Sequence, residues 1–344
     1  MNPPPAQAGN TVAREAWRTL PILVLAALLL WFPARGLLDN VILDTQFRLL
    51  RQIAPQENID DPVLVGIDEQ TYAVFEWPLG LWHPHLGDFL SAMEAAGARL
   101  VVVDLLLPTR SIPATLTQLA DQGHVAYHDE SLLASLIGLK AAGIPVIFAE
   151  APNDEGSRII RGSSELLSLI SSLGDQDDWF GYAQLPLDPD GFQRRYQASV
   201  SGRTTLAAQA ARHLGIEARD GIINFRINSE FSYLPMQNVN AWHFDGDIGR
   251  LRQRLENRVV FLGSVTANSD RRPLPVRILA SHHDNAGLRQ PGVISHIQAF
   301  RSYRTQSMIR PVSDWFVFGC GLLMLACWFI PAGVRWMVLY TGCI

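Results

Sequence analysis

Apolar runs of three different lengths punctuate the chain, and their lengths sort them into membrane and core candidates. From Leu20 to Phe32 every residue except Pro21 is apolar, and Leu37 and Leu38 extend the run beyond Pro33 and Arg35. A spanning helix needs ~20 predominantly apolar residues, which residues 20–38 supply if Arg35 snorkels to the interface. A cleaved signal peptide is the competing reading, but Phe32-Pro33-Ala34 offers only one of the two small residues a peptidase wants. The expectation is an uncleaved anchor behind a tail of residues 1–19. A second run, Val312 to Ile330, carries Trp315, Phe316, Trp328 and Phe329 near its two ends, as interfacial aromatic belts do. A third begins at Trp336 and stops at Ile344, too short to cross a bilayer as a helix. This pattern predicts a chain that ends inside a further membrane segment, through truncation or a frameshift.

Between the anchors the runs are shorter and their spacing changes. Pro62-Val63-Leu64-Val65-Gly66-Ile67-Asp68 has the pattern of a buried strand, opened by proline and closed by acids. Helical spacing follows from His85 to Ala96 with Gly97 as its C-terminal cap. Arg99 to Asp104 is then a second buried strand. Strand, helix, strand in so short a stretch reads as a βαβ unit. The pattern recurs with a helix from Asp129 to Ala142 and a strand from Ile144 to Ala149. Further on, the spacing predicts strands at Arg195 to Val200, Gly221 to Ile227 and Arg258 to Leu262, and helices at Thr204 to Leu214 and Val293 to Arg310. The fold class is α/β: one mixed domain over residues 39–310 with a largely parallel sheet, flanked by transmembrane helices. Asp39 to Arg51 reads as a helix leaving the membrane, with Val41, Leu43, Phe47 and Leu50 apolar, and Val293 to Arg310 as the helix re-entering it.

Composition removes several function classes. The 344 residues are 48% hydrophobic and 18% charged, which excludes disorder as the overall state. Net charge is −5, Lys140 is the only lysine, and no basic stripe suited to nucleic acid occurs. The acidic surplus lies between the apolar runs, so this region should avoid anionic lipid. Cys320, Cys327 and Cys343 all lie in the C-terminal apolar stretch, leaving the polar region without a disulfide framework or a cysteine zinc site. Arginines flank the spans mostly on the side of the polar region, against the positive-inside rule, but long domains translocate largely regardless of charge.

Several blocks in order then carry a resemblance. They are Pro62 to Glu69, Trp77-Pro78, Ala95 to Asp104, Gly181, Asp188-Pro189-Asp190-Gly191 with Arg194 and Arg195, Ile222 to Arg226, Arg258 to Ser264, Asp270, and Pro291-Gly292-Val293 before His296. This succession resembles the CHASE type 2 domain, a cyclase/histidine-kinase-associated sensory extracellular module, over about residues 39–310. The resemblance implies an anchored periplasmic sensor in a bacterial inner membrane. It also implies an unknown small-molecule or envelope signal, and a cytoplasmic cyclase, histidine kinase or similar output in cis or in trans. Homodimerisation follows from the way such outputs work. Leu105-Leu106-Leu107-Pro108 after the second strand and Ser295-His296-Ile297 after Pro-Gly-Val depart from the family pattern.

The residues themselves offer a candidate cleft and no catalytic motif, so no catalytic residue, metal ligand or cofactor is assigned. Asp68, Glu69 and Asp104 fall at the predicted C-terminal ends of strands, where open α/β sheets bind ligands. They could receive a cationic or hydroxylated signal, or simply cap helices and turns. With Trp77, Asp190, Arg194 and Arg195 they make the candidate ligand-binding set. Asp188-Pro189-Asp190-Gly191 suggests a calcium loop but lacks its distal ligands; the next two arginines could clamp an anion or pair with those aspartates. His83 with His85, and His282-His283-Asp284, are the imidazole clusters. Gly263-Ser264 lacks a nucleophile elbow, and no phosphate-cradling glycine loop precedes a lysine. Two other readings stay open: a tethered hydrolase using Asp68, Glu69 and Asp104 around a divalent ion, and a stand-alone scaffold.

Overall fold

The computed structural model describes residues 39–56, 62–76, 78–109, 129–153, 155–227, 232–279 and 287–328. The expected anchor at 20–38, Trp77, the His282 cluster and the segment from Trp336 lie outside them.

A helix over residues 39–53 (α1) leads into the domain. Then follow β1 (Val63–Ile67), α2 (Glu69–Phe75), α3 (His83–Ala96), β2 (Leu100–Asp104), α4 (Glu130–Ala141), β3 (Val146–Pro152), β4 (Ile159–Ile160), α5 (Ser164–Leu173) and β5 (Phe180–Tyr182). The second half comprises β6 (Arg195–Tyr196), β7 (Ser199–Val200), β8 (Arg203–Thr204), α6 (Leu206–His213), β9 (Gly221–Ile222), β10 (Leu234–Pro235), α7 (Met236–Phe244) and α8 (Ile248–Leu255). It closes with β11 (Val259–Ser264), β12 (Arg271–Pro273), β13 (Arg289–Pro291), α9 (Gly292–Arg304) and α10 (Asp314–Trp328).

The central sheet runs β10-β1-β11-β2-β3, with β5 parallel to β3 and β4 paired antiparallel to the end of β3. All its other pairings are parallel, as the uninterrupted Val/Ile/Leu runs require of strands buried on both faces. The strand read from Arg258 to Leu262 enters between the first two, so β1 and β2 both flank β11 rather than each other.

Side-chain alternation divides the core in two. Val65, Ile67, Val101, Val103, Val146 and Phe148 face a layer made from α3, α4, α5, α7 and α8. Leu64, Leu100, Val102, Ile147, Val259 and Phe261 face α1, α6 and α9 on the other side. The α3 helix ends where Gly97 turns left-handed at φ 70°, as its cap position requires.

Some expected elements are shorter than their patterns. The Arg195–Val200 strand is split into β6 and β7, and of Gly221–Ile227 only β9 is strand, because Asn224 turns the chain by accepting from the Arg226 amide. The helix from Val293 stops at Arg304 instead of Arg310. Gln306 takes a positive φ of 50°, and Ile309 pairs with Ile222 of β9 instead of continuing the helix. The apolar run from Val312 is helical over α10, and among the described residues no helix is long and apolar enough to cross a membrane.

Candidate ligand-binding site

In open α/β sheets a crevice forms at the carboxyl end, where neighbouring strands send their next helices to opposite faces. Here β2 is followed by α4 on one face, and β11 by α9 on the other. A cavity of about 300 Å³ opens at that point, beyond the ends of β2, β3, β5 and β11. Gly263 lets α9 come close: a Cβ at this position would lie 2.8 Å from Val293 Cβ. The first turn of α9, which no side chain caps, therefore abuts the sheet edge and lines the cavity through Gly292, Val293, Ser295 and His296.

Asp104 lies on the floor, half-buried, and its carboxylate has no hydrogen-bond partner among the described residues. Burial and the nearby charge of Asp270 push its pKa up to about 7, against the pull of Arg272. Arg272 is itself engaged, donating from Nε and Nη2 to Asp270 Oδ2 at 3.0 and 2.8 Å.

Three side chains from later segments complete the wall. Gln193, 1% exposed, donates from Nε2 to the Arg195 carbonyl at 2.6 Å, which fixes the amide and leaves its buried Oε1 without a partner. Ser295, also 1% exposed, has an unpartnered Oγ. His296 has Nδ1 2.7 Å from the Tyr196 hydroxyl. That hydroxyl already accepts from the Ala207 amide, so its proton goes to Nδ1 and the imidazole carries its own proton on Nε2. Burial holds this neutral form down to about pH 4, although the Ala183 carbonyl favours the charged one.

The other sequence candidates fall elsewhere. Asp68 is the N-cap of α2: its Oδ1 accepts from the Thr71 amide and hydroxyl, both at 2.8 Å, and its Oδ2 accepts from the Tyr233 hydroxyl at 3.0 Å. Burial, then the Asp68 charge, pushes Tyr233 up to about 12. Glu69 accepts from the Ala267 amide at 2.8 Å. Neither residue lines the cavity with Asp104. Among the described residues no group of three His, Cys, Asp or Glu could hold a metal, so the three-carboxylate divalent site is not assembled.

Asp190, Arg194 and Arg195 form an ion-pair cluster beside the cavity. Arg194, 2% exposed, grips Asp44 of α1 from Nε and Nη2 at 2.6 and 2.8 Å, while its Nη1 reaches Asp188 at 3.1 Å and Asp190 at 2.8 Å. Arg195 adds a 2.6 Å bond to Asp188, and Phe192 stacks beneath Arg194. Burial alone would lower the Arg194 pKa, but the bonds to Asp44, Asp190 and Asp188 more than offset it; in return the guanidinium holds Asp190 below its usual range. The Asp-Pro-Asp-Gly segment is a turn with Gly191 at φ 80°, and its carboxylates are occupied by arginine, which leaves no open calcium loop.

His83 and His85 do not converge either. His83 Nδ1 pairs with Asp129, whereas His85 stacks on Phe75 with ring centroids 3.9 Å apart.

Gln193 and Ser295 were not legible from sequence as site residues. The trace of Gln193 was its place beside Arg194-Arg195, and that of Ser295 its part in the Ser295-His296-Ile297 departure from the family pattern. No curated protein and no solved structure matches the chain. The family model of the CHASE2 domain matches residues 22–334, essentially the whole chain, and CHASE2 domains are sensory extracellular domains without a catalytic role of their own. The protein belongs to the CHASE2 domain family, and its part is that of sensory input.

Proposed function

We propose that the chain is the input half of a membrane receptor. A small signal binds in the cavity at the ends of β2 and β11, and the bound state is relayed through α1 and α9 to the membrane spans. The observation that carries this reading is the cavity's double attachment. Ser295 and His296 belong to α9, whose C-terminal end leads towards the apolar run at Val312. Gln193 is chain neighbour to Arg194, which holds Asp44 of α1. A ligand that bonds differently to these walls in two states shifts the equilibrium by that difference.

The surroundings proposed are a bacterial inner membrane with the domain in the periplasm, and a cyclase, histidine kinase or similar output in cis or in trans. Pairing of two copies is part of the proposal, supported by the outward face of α1, which exposes Val41, Ile42, Leu49 and Ile53.

Hydrogen–deuterium exchange on the full chain in membrane vesicles tests the relay without a ligand. Ala151→Trp fills the cavity from β3, and should alter protection in both residues 39–53 and residues 292–310. Changes confined to the cavity rim would overturn the reading.

A further inference from the structure

Apart from the exposed Gln184 amide, the side-chain atoms left without partners in the cavity accept hydrogen bonds, beside the uncapped first-turn amides of α9. These acceptors are the Asp104 carboxylate, Gln193 Oε1 and Ser295 Oγ, of which only the serine can also donate. A buried acceptor without a donor costs about 1–3 kcal/mol. A ligand supplying the donors therefore gains where a ligand of acceptors would not. Charge points the same way: Asp270 and Arg272 are tied to one another, so Asp104 is the carboxylate without a counter-ion. The apolar part of the wall is short, formed by Leu106, Ala149, Ala151 and Val293 among others, and Gln184, Ser264 and Ser269 also line it.

Resting on the reading that this cavity is the sensory site, we propose that its ligand is a small organic cation, a primary ammonium on a short apolar body. The ammonium donates to Asp104 and to Gln193 Oε1, and the body lies against the alanines of β3. An ammonium has three donors and no acceptor, the complement of these side-chain acceptors. A neutral alcohol would leave Asp104 without a counter-charge, and a carboxylate would be repelled by it. An anion would also find Arg272 already occupied by Asp270.

Binding should then depend on pH through Asp104. The other groups facing it are Asp270, paired to Arg272; His296, held neutral; and Tyr196, whose hydroxyl burial pushes up. A cation favours the ionised carboxylate, so its affinity should be about tenfold weaker at pH 6 than at pH 8.

The test uses benzylamine, benzyl alcohol and benzoate with the purified full-length chain, followed by thermal shift and ligand-observed NMR at both pH values. Wild type, Asp104→Asn and Ala151→Trp are compared; the asparagine keeps the shape and removes the charge. The expected result is binding of the amine alone, stronger at pH 8, lost in both variants. Binding of the alcohol or of benzoate to wild type but not to Ala151→Trp would overturn the ligand class and leave the sensory cavity standing. If no compound distinguishes wild type from Ala151→Trp, both are overturned. Amine binding that Asp104→Asn does not weaken overturns the role of Asp104 and with it the proposal.

Discussion

Asp68 follows β1 and Asp104 ends β2, the two buried parallel strands that flank β11, yet they end in opposite conditions. Asp68 is enclosed by its own surroundings: the next helix begins at once, its first-turn amide and the Thr71 hydroxyl point back at the carboxylate, and Tyr233 closes the other oxygen. Asp104 is followed by Leu105 to Pro108 instead of a helix, and its carboxylate faces a cavity without a hydrogen bond among the described residues. A polar group whose partners all come from the fold is part of the fold. One that the fold brings to a cavity and leaves unsatisfied is available to something else. Arg194 sits at the satisfied extreme, with three aspartates around it.

The sharpest break of this contrast is at Arg194. Arg194→Ala leaves Asp44 buried without its cation and Asp188 with Arg195 alone, and should cost about 3–5 kcal/mol, read by urea unfolding. It should also free α1, seen as faster amide exchange over residues 39–53. A loss below 1 kcal/mol would show the cluster to be peripheral.

Asp104 should respond with the opposite sign. A carboxyl whose folded pKa is raised holds its proton more tightly when folded, so ionisation costs stability as pH climbs from about 4 to about 7. Asp104→Asn should therefore be more stable than wild type at pH 8, by up to ~4 kcal/mol, with the gap closing below pH 4. Melting curves across that range decide the matter; a destabilised asparagine variant at pH 8 would mean that the ionised carboxylate has partners after all.

His296 supplies an opposing trend. Its folded pKa is depressed, so stability present above pH 6.5 is lost as pH falls towards 4, by up to ~3 kcal/mol. In wild type the two trends offset between pH 4 and 6.5. In Asp104→Asn the His296 loss should stand alone as a melting temperature that falls steadily with acid. The smallest effect is expected at the satisfied carboxylate: Asp68→Ala should cost about 1–2 kcal/mol, a lost N-cap with the Tyr233 bond.

The parallel sheet was legible because four of its strands are continuous apolar runs, and only a strand buried on both faces reads that way. What alternation along the chain cannot carry is the order of the strands, and so the insertion of β11 between β1 and β2 was hidden. Helix α7 was missed because it buries Gln237 and Asn240 along with Met236 and Val239, which blurs its apolar stripe. Strand β5 is three residues long, inside a loop rich in glycine and aspartate. At the site, Asp104 could be reached from the rule for strand ends. Gln193 and Ser295 could not, because their meaning is an unsatisfied atom, and satisfaction is settled by packing between segments far apart in sequence. The same limit made Asp68 and Asp104 look alike.

The central claim is that the fold leaves Asp104 unpartnered at a ligand site, and a direct titration reads it. The carboxyl ¹³C resonance of Asp104, followed by NMR in the full-length chain, should show a midpoint near pH 7 that falls on addition of benzylamine. A midpoint near 4, the ordinary aspartate value, would mean that Asp104 is already solvated or paired, and would contradict the account.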